Sequence, residues 1–369
     1  MKTQRQFEQY AAADIRKPGP FANLGRQLQA VARAATVPDS GDLRRLDEVH
    51  RRSVPAGASE QALPDGGFLV GPEFSEQLIV RLFNTGEFLS RATMIPTTKP
   101  TSNGLNIPSF DEVSRADGSR FGGVQSYWEV EAQQPNATKP KFRLLNLTLH
   151  KLTAICYATN ELLQDAAALE AAIAIAYVNE LRFKTEWAAL FGDGWVQPAG
   201  IMGSGALITV PKQPGQAAGT FVAANATDMF SRMWGPSRAR AVWFVNQRLE
   251  TQLQTLTLPI GSGGAEMPLY RFSESDDEPN RFMGRPVIPL EYMQPPGTPG
   301  DILFVDPAEF LFTQKDSIET AISLHVKFLT DEQAFRFTWR VDGQPMWHLP
   351  VTPATGGNTL SPYVALAAR

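Results

Sequence analysis

The sequence predicts an α+β chain, and three features carry that prediction. Residues 165–191 contain neither proline nor glycine and read as one long helix. Residues 318–341 alternate apolar and polar side chains, as a long antiparallel hairpin with one apolar face does. The 29 glycines and 28 prolines concentrate in 197–220, 259–268 and 284–300, which mark long, shaped loops. At 1.5 Å per residue the helix spans roughly 40 Å, about twice the common length. With 369 residues, 43% hydrophobic and 20% charged, the chain can bury a substantial core in two or more domains.

In chain order, residues 1–62 form a region apart. Phe21, Leu24, Leu28 and Val31 make one helical stripe, and "DLRRLDEVHRR" a second short amphipathic helix. Two such helices cannot bury a core alone, so they are expected to lie on the body or on a neighbouring chain. Arg44, Arg45, Arg51 and Arg52 cluster here, as a solvated helix face or a contact for a polyanion. "LPDGGFLV" gives a turn and a short strand, and a helix follows from near Pro72 with Leu78, Ile79, Leu82 and Phe83 inward.

Asn103-Gly104 between strand-like runs signals a hairpin. Residues 100–142 are the least globular, so a two-stranded arm with little core of its own leaves near 100 and returns near 142. Replacing residues 101–140 by a short Asn-Gly hairpin is therefore expected to leave the subunit folded. Leu145, Leu147 and Leu149 then alternate with Asn146, Thr148 and His150.

The long helix takes Asp165 as N-cap and Gly192 as its stop, with Ile173, Tyr177, Leu181, Trp187, Leu190 and Phe191 as its apolar stripe. Glu170, Asn179, Glu180, Arg182 and Lys184 interrupt it too often for a membrane span. Glu161, Asp165, Glu170, Glu180 and Glu186 lack the histidines of a carboxylate-bridged metal site and read as a solvated surface.

Beyond it, Asn225 reads as an N-cap with Asp228 at N3. "RAVWFVNQ" is a buried strand, and "QRLETQLQTL" a short helix with Leu249, Leu253 and Leu256 inward. "GRPVIPLEYM" and "GDILFVDPAEFLFTQ" add strands. The final hairpin sets Ile318, Thr320, Ile322, Leu324, Val326 and Phe328 against Phe335, Phe337, Trp339 and Val341, ending at an Asp342-Gly343 turn.

Chemistry-bearing motifs are missing. There is no phosphate-binding or dinucleotide loop and no nucleophile elbow; Ser204 and Ser262 sit in glycine-flanked loops. His50, His150, His325 and His348 are scattered, Asp193 reads as a turn residue, and Cys156 as a buried inert thiol. No catalytic residue, metal ligand or cofactor is assigned. One cysteine fits synthesis in a reducing cytoplasm, and no signal peptide is expected because residues 1–30 lack an apolar run. The Asn-x-Thr triplets at Asn136, Asn146 and Asn225 are then chance. A net charge of −4 disfavours a dedicated nucleic-acid binder.

Seven segments in order, "LPDGGFLV", "EAQQPNATKPKFRLLNLTLHKL", "ATNELLQDAAALEAAIA", "FGDGWVQPAGI", "GRPVIPLEYM", "GDILFVD" and "DEQAFRFTWRVDGQP", resemble the major capsid protein of tailed bacteriophages, over about residues 63–350. That fold is shared with the herpesvirus capsid floor and with encapsulins. The resemblance implies a peripheral domain (63–99, 143–220 and 317–347) built on the spine helix of about 165–191 and the long hairpin. It further implies an extended E-loop (100–142), an axial domain (221–316 and 348–369) and an N-terminal arm (1–62).

The function it implies is a structural one: pentamers and hexamers of the chain form an icosahedral shell around the double-stranded DNA of a tailed phage or prophage. Portal, scaffold or decoration proteins are the further partners, synthesis is in the bacterial cytoplasm, and no membrane is involved. Phe121, Tyr127, Trp128 and Lys139 are then the expected inter-subunit contacts, and the four arginines a weak contact with the genome. Some members join subunits through a lysine–asparagine isopeptide bond near the position of Lys139. The matching asparagine and glutamate are not found here, so pairing with acidic groups on the next subunit is expected instead. The alternatives are an encapsulin-like nanocompartment shell or a carboxylate-dependent hydrolase.

Overall fold

The computed structural model describes residues 86–95, 103–128, 136–159, 166–260, 265–273, 279–315, 319–323 and 332–369, together with 67–69 and single positions between 21 and 48. The chain divides into two compact units. One comprises Met1–Leu82, Leu152–Leu181 and Asp316–Arg340; the other comprises Phe83–Lys151, Arg182–Lys315 and Val341–Arg369.

In the first unit β1 (Gly67–Leu69) pairs antiparallel with β15 (Glu319–Ser323), which pairs antiparallel with β16 (Glu332–Pro345). Glu319 stands opposite Thr338 and Ser323 opposite Ala334, so the described part of the expected hairpin pairs antiparallel, while Ile318, Leu324, Val326 and Phe328 lie outside the described residues. Its alternation puts Phe335, Phe337 and Trp339 on one face, and all three are buried. The sequence's Asp342-Gly343 turn does not form. Both residues lie inside β16, because β14 (Phe310–Gln314) supplies a ladder there, Thr313 opposite Asp342 and Phe312 opposite Gly343.

β5 (His150–Thr159) also pairs with β16. Cys156 is half-buried rather than buried, since the described side chains of this strand alternate only between exposed and half-buried. The spine helix, α1, runs Ala166–Phe191, as its unbroken composition predicts; Asp165 and Ile173 lie outside the described side chains. Tyr177 of α1 donates its hydroxyl to the Ile155 carbonyl at 2.7 Å and lies 5.2 Å, ring to ring, from Phe337. The described positions at 26–33 and 41–48 are helical, with Phe21, Gln27, Ala30 and Leu46 buried. Leu24, Leu28, Val31 and the helix expected near Pro72 lie outside the described residues.

The second unit is organised by a seven-stranded sheet. Its order is β10 (Tyr270–Arg271), β11 (Arg281–Phe282), β12 (Arg285–Leu290), β7 (Val242–Asn246), β13 (Ile302–Val305), β17 (Tyr363–Leu366) and β6 (Ile208–Val210). "VWFV", "ILFV" and "YVAL" are continuous apolar runs because these central strands are covered on both faces. Trp243 stacks on Phe304 at 4.1 Å and meets Phe282 edge-on at 5.4 Å. Helix α2 (Ala223–Arg232) adds Ala226 and Met229 to this core. Asn225 is not its N-cap: it sits one turn inside, and its side-chain oxygen accepts from Val222 N–H at 3.2 Å. Leu249 and Leu253, the latter on α3 (Glu250–Gln254), are buried as their spacing predicts.

The last turns of α1 belong to this unit. Gly192 ends the helix as expected, but through close approach rather than a left-handed turn. A Cβ there would lie 2.1 Å from the Pro198 carbonyl oxygen and 2.5 Å from that of Ala188. Of the helix carboxylates expected to be solvated, Glu180 is exposed, Glu161, Asp165 and Glu170 lie outside the described side chains, and Glu186 overturns the expectation. It is buried, and accepts from the N–H groups of Phe88 (2.8 Å) and Leu89 (3.3 Å) and from the Tyr292 hydroxyl (3.1 Å). Burial raises its pKa above the ordinary range, opposed by those N–H donors, the hydroxyl and Arg182.

Candidate functional site

The arm is a two-stranded ladder. β3 (Gly104–Phe110) pairs antiparallel with β4 (Phe142–Thr148), from Gly104 opposite Thr148 to Phe110 opposite Phe142. Asn103-Gly104 is not the tip of a local hairpin. Asn103 accepts from Leu149 N–H at 2.9 Å and closes the root of the arm, while β2 (Thr93–Met94) pairs in parallel with β14.

The inner face is anchored. Leu145 and Leu147 pack with Leu311, flanked by Ile95, Leu105, Ile107 and Met346. The residues from Asp342 to Thr352 hold the arm along its length. Asp342 Oδ2 accepts from Thr148 N–H at 2.6 Å, Arg143 donates to the Met346 carbonyl at 2.7 Å, and His348 lies 3.3 Å from Asp111. Arg115 N–H donates to Thr352 at 2.9 Å, and Thr352 N–H to Val113 at 3.0 Å. Burial raises the Asp342 pKa against the N–H groups of Gly343 and Thr148; burial and Arg143 lower that of His348, with Asp111 opposing. Little core of its own is therefore true only of the far part, and cutting at 101–140 would strip Leu105 and Ile107 from this cluster.

The outer face near the tip is apolar and open. Phe110, Phe142 and Leu144 are 48%, 61% and 62% exposed. Phe121, in the turn 120–124, brings its ring within 5.2 Å of Phe110, which lies 5.1 Å from Phe142. Phe121 has φ 51, the left-handed region that costs a side-chain-bearing residue strain. Gly122 beside it, at φ 75, passes between the carbonyls of Asp111 and Lys141, where a Cβ would lie 2.8 Å from each oxygen.

Tyr127, Trp128 and Lys139, the other contacts expected from sequence, are exposed on the same arm. Phe110, Phe142 and Leu144 were missed. Their signal was parity: Phe142 and Leu144 share a face with the polar Asn146 and Thr148, so apolar residues take the solvent side towards the tip. Arg44 and Arg45 are exposed in the other unit, Arg45 lying 3.9 Å from Asp42; Arg51 and Arg52 lie outside the described residues.

Among the described residues no group of three or more His, Cys, Asp or Glu is placed to hold a metal ion, and no helix is long and apolar enough to cross a membrane. Residues 66–352 match the model of the phage capsid family. The chain belongs to the phage capsid family. It is a structural capsid component of a phage or phage-like particle.

Solved capsid chains share its fold. The capsid chain of a native GTA particle computed with C5 symmetry superposes with a TM-score of 0.55 at 15% identity, covering 86% of this chain and 95% of that one. For the empty GTA particle the TM-score is 0.53 at 19% identity, covering 77% and 90%. A chain of Mycobacterium phage Adephagia gives 0.50 at 13% identity, covering 76% and 89%. No curated protein matches the chain. A phage-capsid match over most of the chain favours neither the nanocompartment nor the hydrolase.

Proposed function

We propose that copies of this chain assemble as pentamers and hexamers into an icosahedral shell around the double-stranded DNA of a tailed phage or prophage. The observation that carries this is the outer face of the arm, where Phe110, Phe121, Phe142 and Leu144 stay open although the inner face is packed. A neighbouring copy supplies the cover. Tyr127 and Trp128 extend that contact, and Lys139 pairs with acidic groups of the next subunit.

In this reading residues 63–99, 143–220 and 317–347 are the peripheral domain, supported by α1 and the β15–β16 hairpin. Residues 221–316 and 348–369 are the axial domain, supported by the seven-stranded sheet. Residues 100–142 are the E-loop and 1–62 the N-terminal arm, whose Arg44, Arg45, Arg51 and Arg52 touch the packaged DNA weakly through phosphate charge. Portal, scaffold and decoration proteins are the further partners, the role is structural rather than catalytic, and synthesis takes place in the host cytoplasm. Negative-stain microscopy and light scattering of the purified protein test the reading. Closed particles or capsomers are expected; a compact 40.5 kDa monomer at high concentration would overturn it.

A further inference from the structure

We infer that Phe121 is held in its left-handed conformation to complete an aromatic platform with Phe110 and Phe142, and that this platform is the specificity-determining contact of the arm with a second copy of the chain. The inference rests on the assembly reading above and adds to it which residue decides the contact.

Phe121 has φ 51, while Gly122 and Gly123 beside it have φ 75 and 129. Two glycines adopt such angles freely, whereas a phenylalanine does so against its preference. The turn is nevertheless fixed: Arg120 and Val124 bridge, Lys141 N–H donates to Gly122 at 3.2 Å, and Gly122 leaves no room for a Cβ. A glycine or asparagine at 121 would satisfy the backbone better. The ring is not there for the subunit's own core, because it remains 53% exposed, its described aromatic partner being Phe110, itself 48% exposed.

Area points to a protein partner. Half-open phenylalanines leave roughly 100 Å² each, so with Leu144 the platform offers about 400 Å². That is near half of the roughly 800 Å² that each partner contributes to a stable interface. The proposed assembly brings a second copy of the chain to this face, and that copy is the occupant.

The test compares wild type with F121G, F121N and F121W. F121G and F121N accept the left-handed angle without the ring; F121W keeps a ring under the same strain. Thermal melts of unassembled subunits should show F121G and F121N as stable as wild type or more so. Light scattering should show both needing at least about tenfold more protein to assemble, with F121W staying near wild type. F121G particles forming at the wild-type concentration, or an F121G subunit that unfolds, would overturn the inference and leave the assembly reading standing. A wild-type chain that never assembles would overturn the reading itself.

Discussion

Glu186 shows how one side chain can tie distant segments together. Its carboxylate is buried where it accepts from the Phe88 and Leu89 N–H groups and the Tyr292 hydroxyl. Because burial outweighs those donors, the folded subunit holds the Glu186 proton more tightly than the unfolded chain does. The resulting stability is fully present below the unfolded pKa of about 4.3 and is lost as pH rises through the raised folded value. E186Q cannot titrate there. Wild type should therefore gain stability relative to E186Q as the pH falls from about 7 to about 5. Urea midpoints of the two unassembled subunits read this directly, and parallel pH profiles would refute it. Asp342 and Glu309, also raised by burial, cancel in the difference.

The arm behaves as two parts, because its two faces meet different surroundings. Near the root, Leu145 and Leu147 are packed and the Asp342–Thr352 segment supplies backbone and side-chain partners. Beyond Arg115 the described chain shows few such anchors, and its apolar residues are open. Replacing residues 116–139 by a short flexible turn should leave the subunit folded, with a melting temperature within a few degrees of wild type, and abolish assembly. Circular dichroism and sedimentation velocity measure both. A cut that also removes β3 should unfold or strongly destabilise the subunit, since Leu145 and Leu147 would lose Leu105 and Ile107. Normal particles from the shorter replacement would show that the far part of the arm is no contact.

At the level of the assembled molecule, the balance between apolar and charged contact decides how it responds to salt. Copies carrying a formal charge of −4 repel one another, and the face formed by Phe110, Phe121, Phe142 and Leu144 is apolar rather than ionic. Raising the salt from about 0.05 to about 0.5 M shortens the reach of that repulsion and leaves apolar burial in place. The protein concentration at which scattering appears should therefore fall. A rise would mean that ion pairs, such as the one proposed for Lys139, hold the copies together.

Much of the fold is legible along the chain, because a side chain's direction is set by its neighbours in sequence. Helical spacing without a breaker gives α1, alternation gives Phe335, Phe337 and Trp339 their buried face and β4 its inner leucines, and unbroken apolar runs give β7 and β13. What distant segments supply cannot be read this way. Asp342-Gly343 has turn chemistry, yet β14 lies alongside and keeps it in a strand. Asn103-Gly104 has it too, yet Leu149 N–H takes the Asn103 carbonyl. Glu186 looks like any helix-surface carboxylate until the Phe88 and Leu89 N–H groups meet it. The open platform of Phe110, Phe121 and Phe142 likewise appears only once the two strands are in register. Periodicity is local and so survives in the sequence; the partners of a hydrogen bond or a ring are chosen by packing, and only the tertiary structure holds that choice.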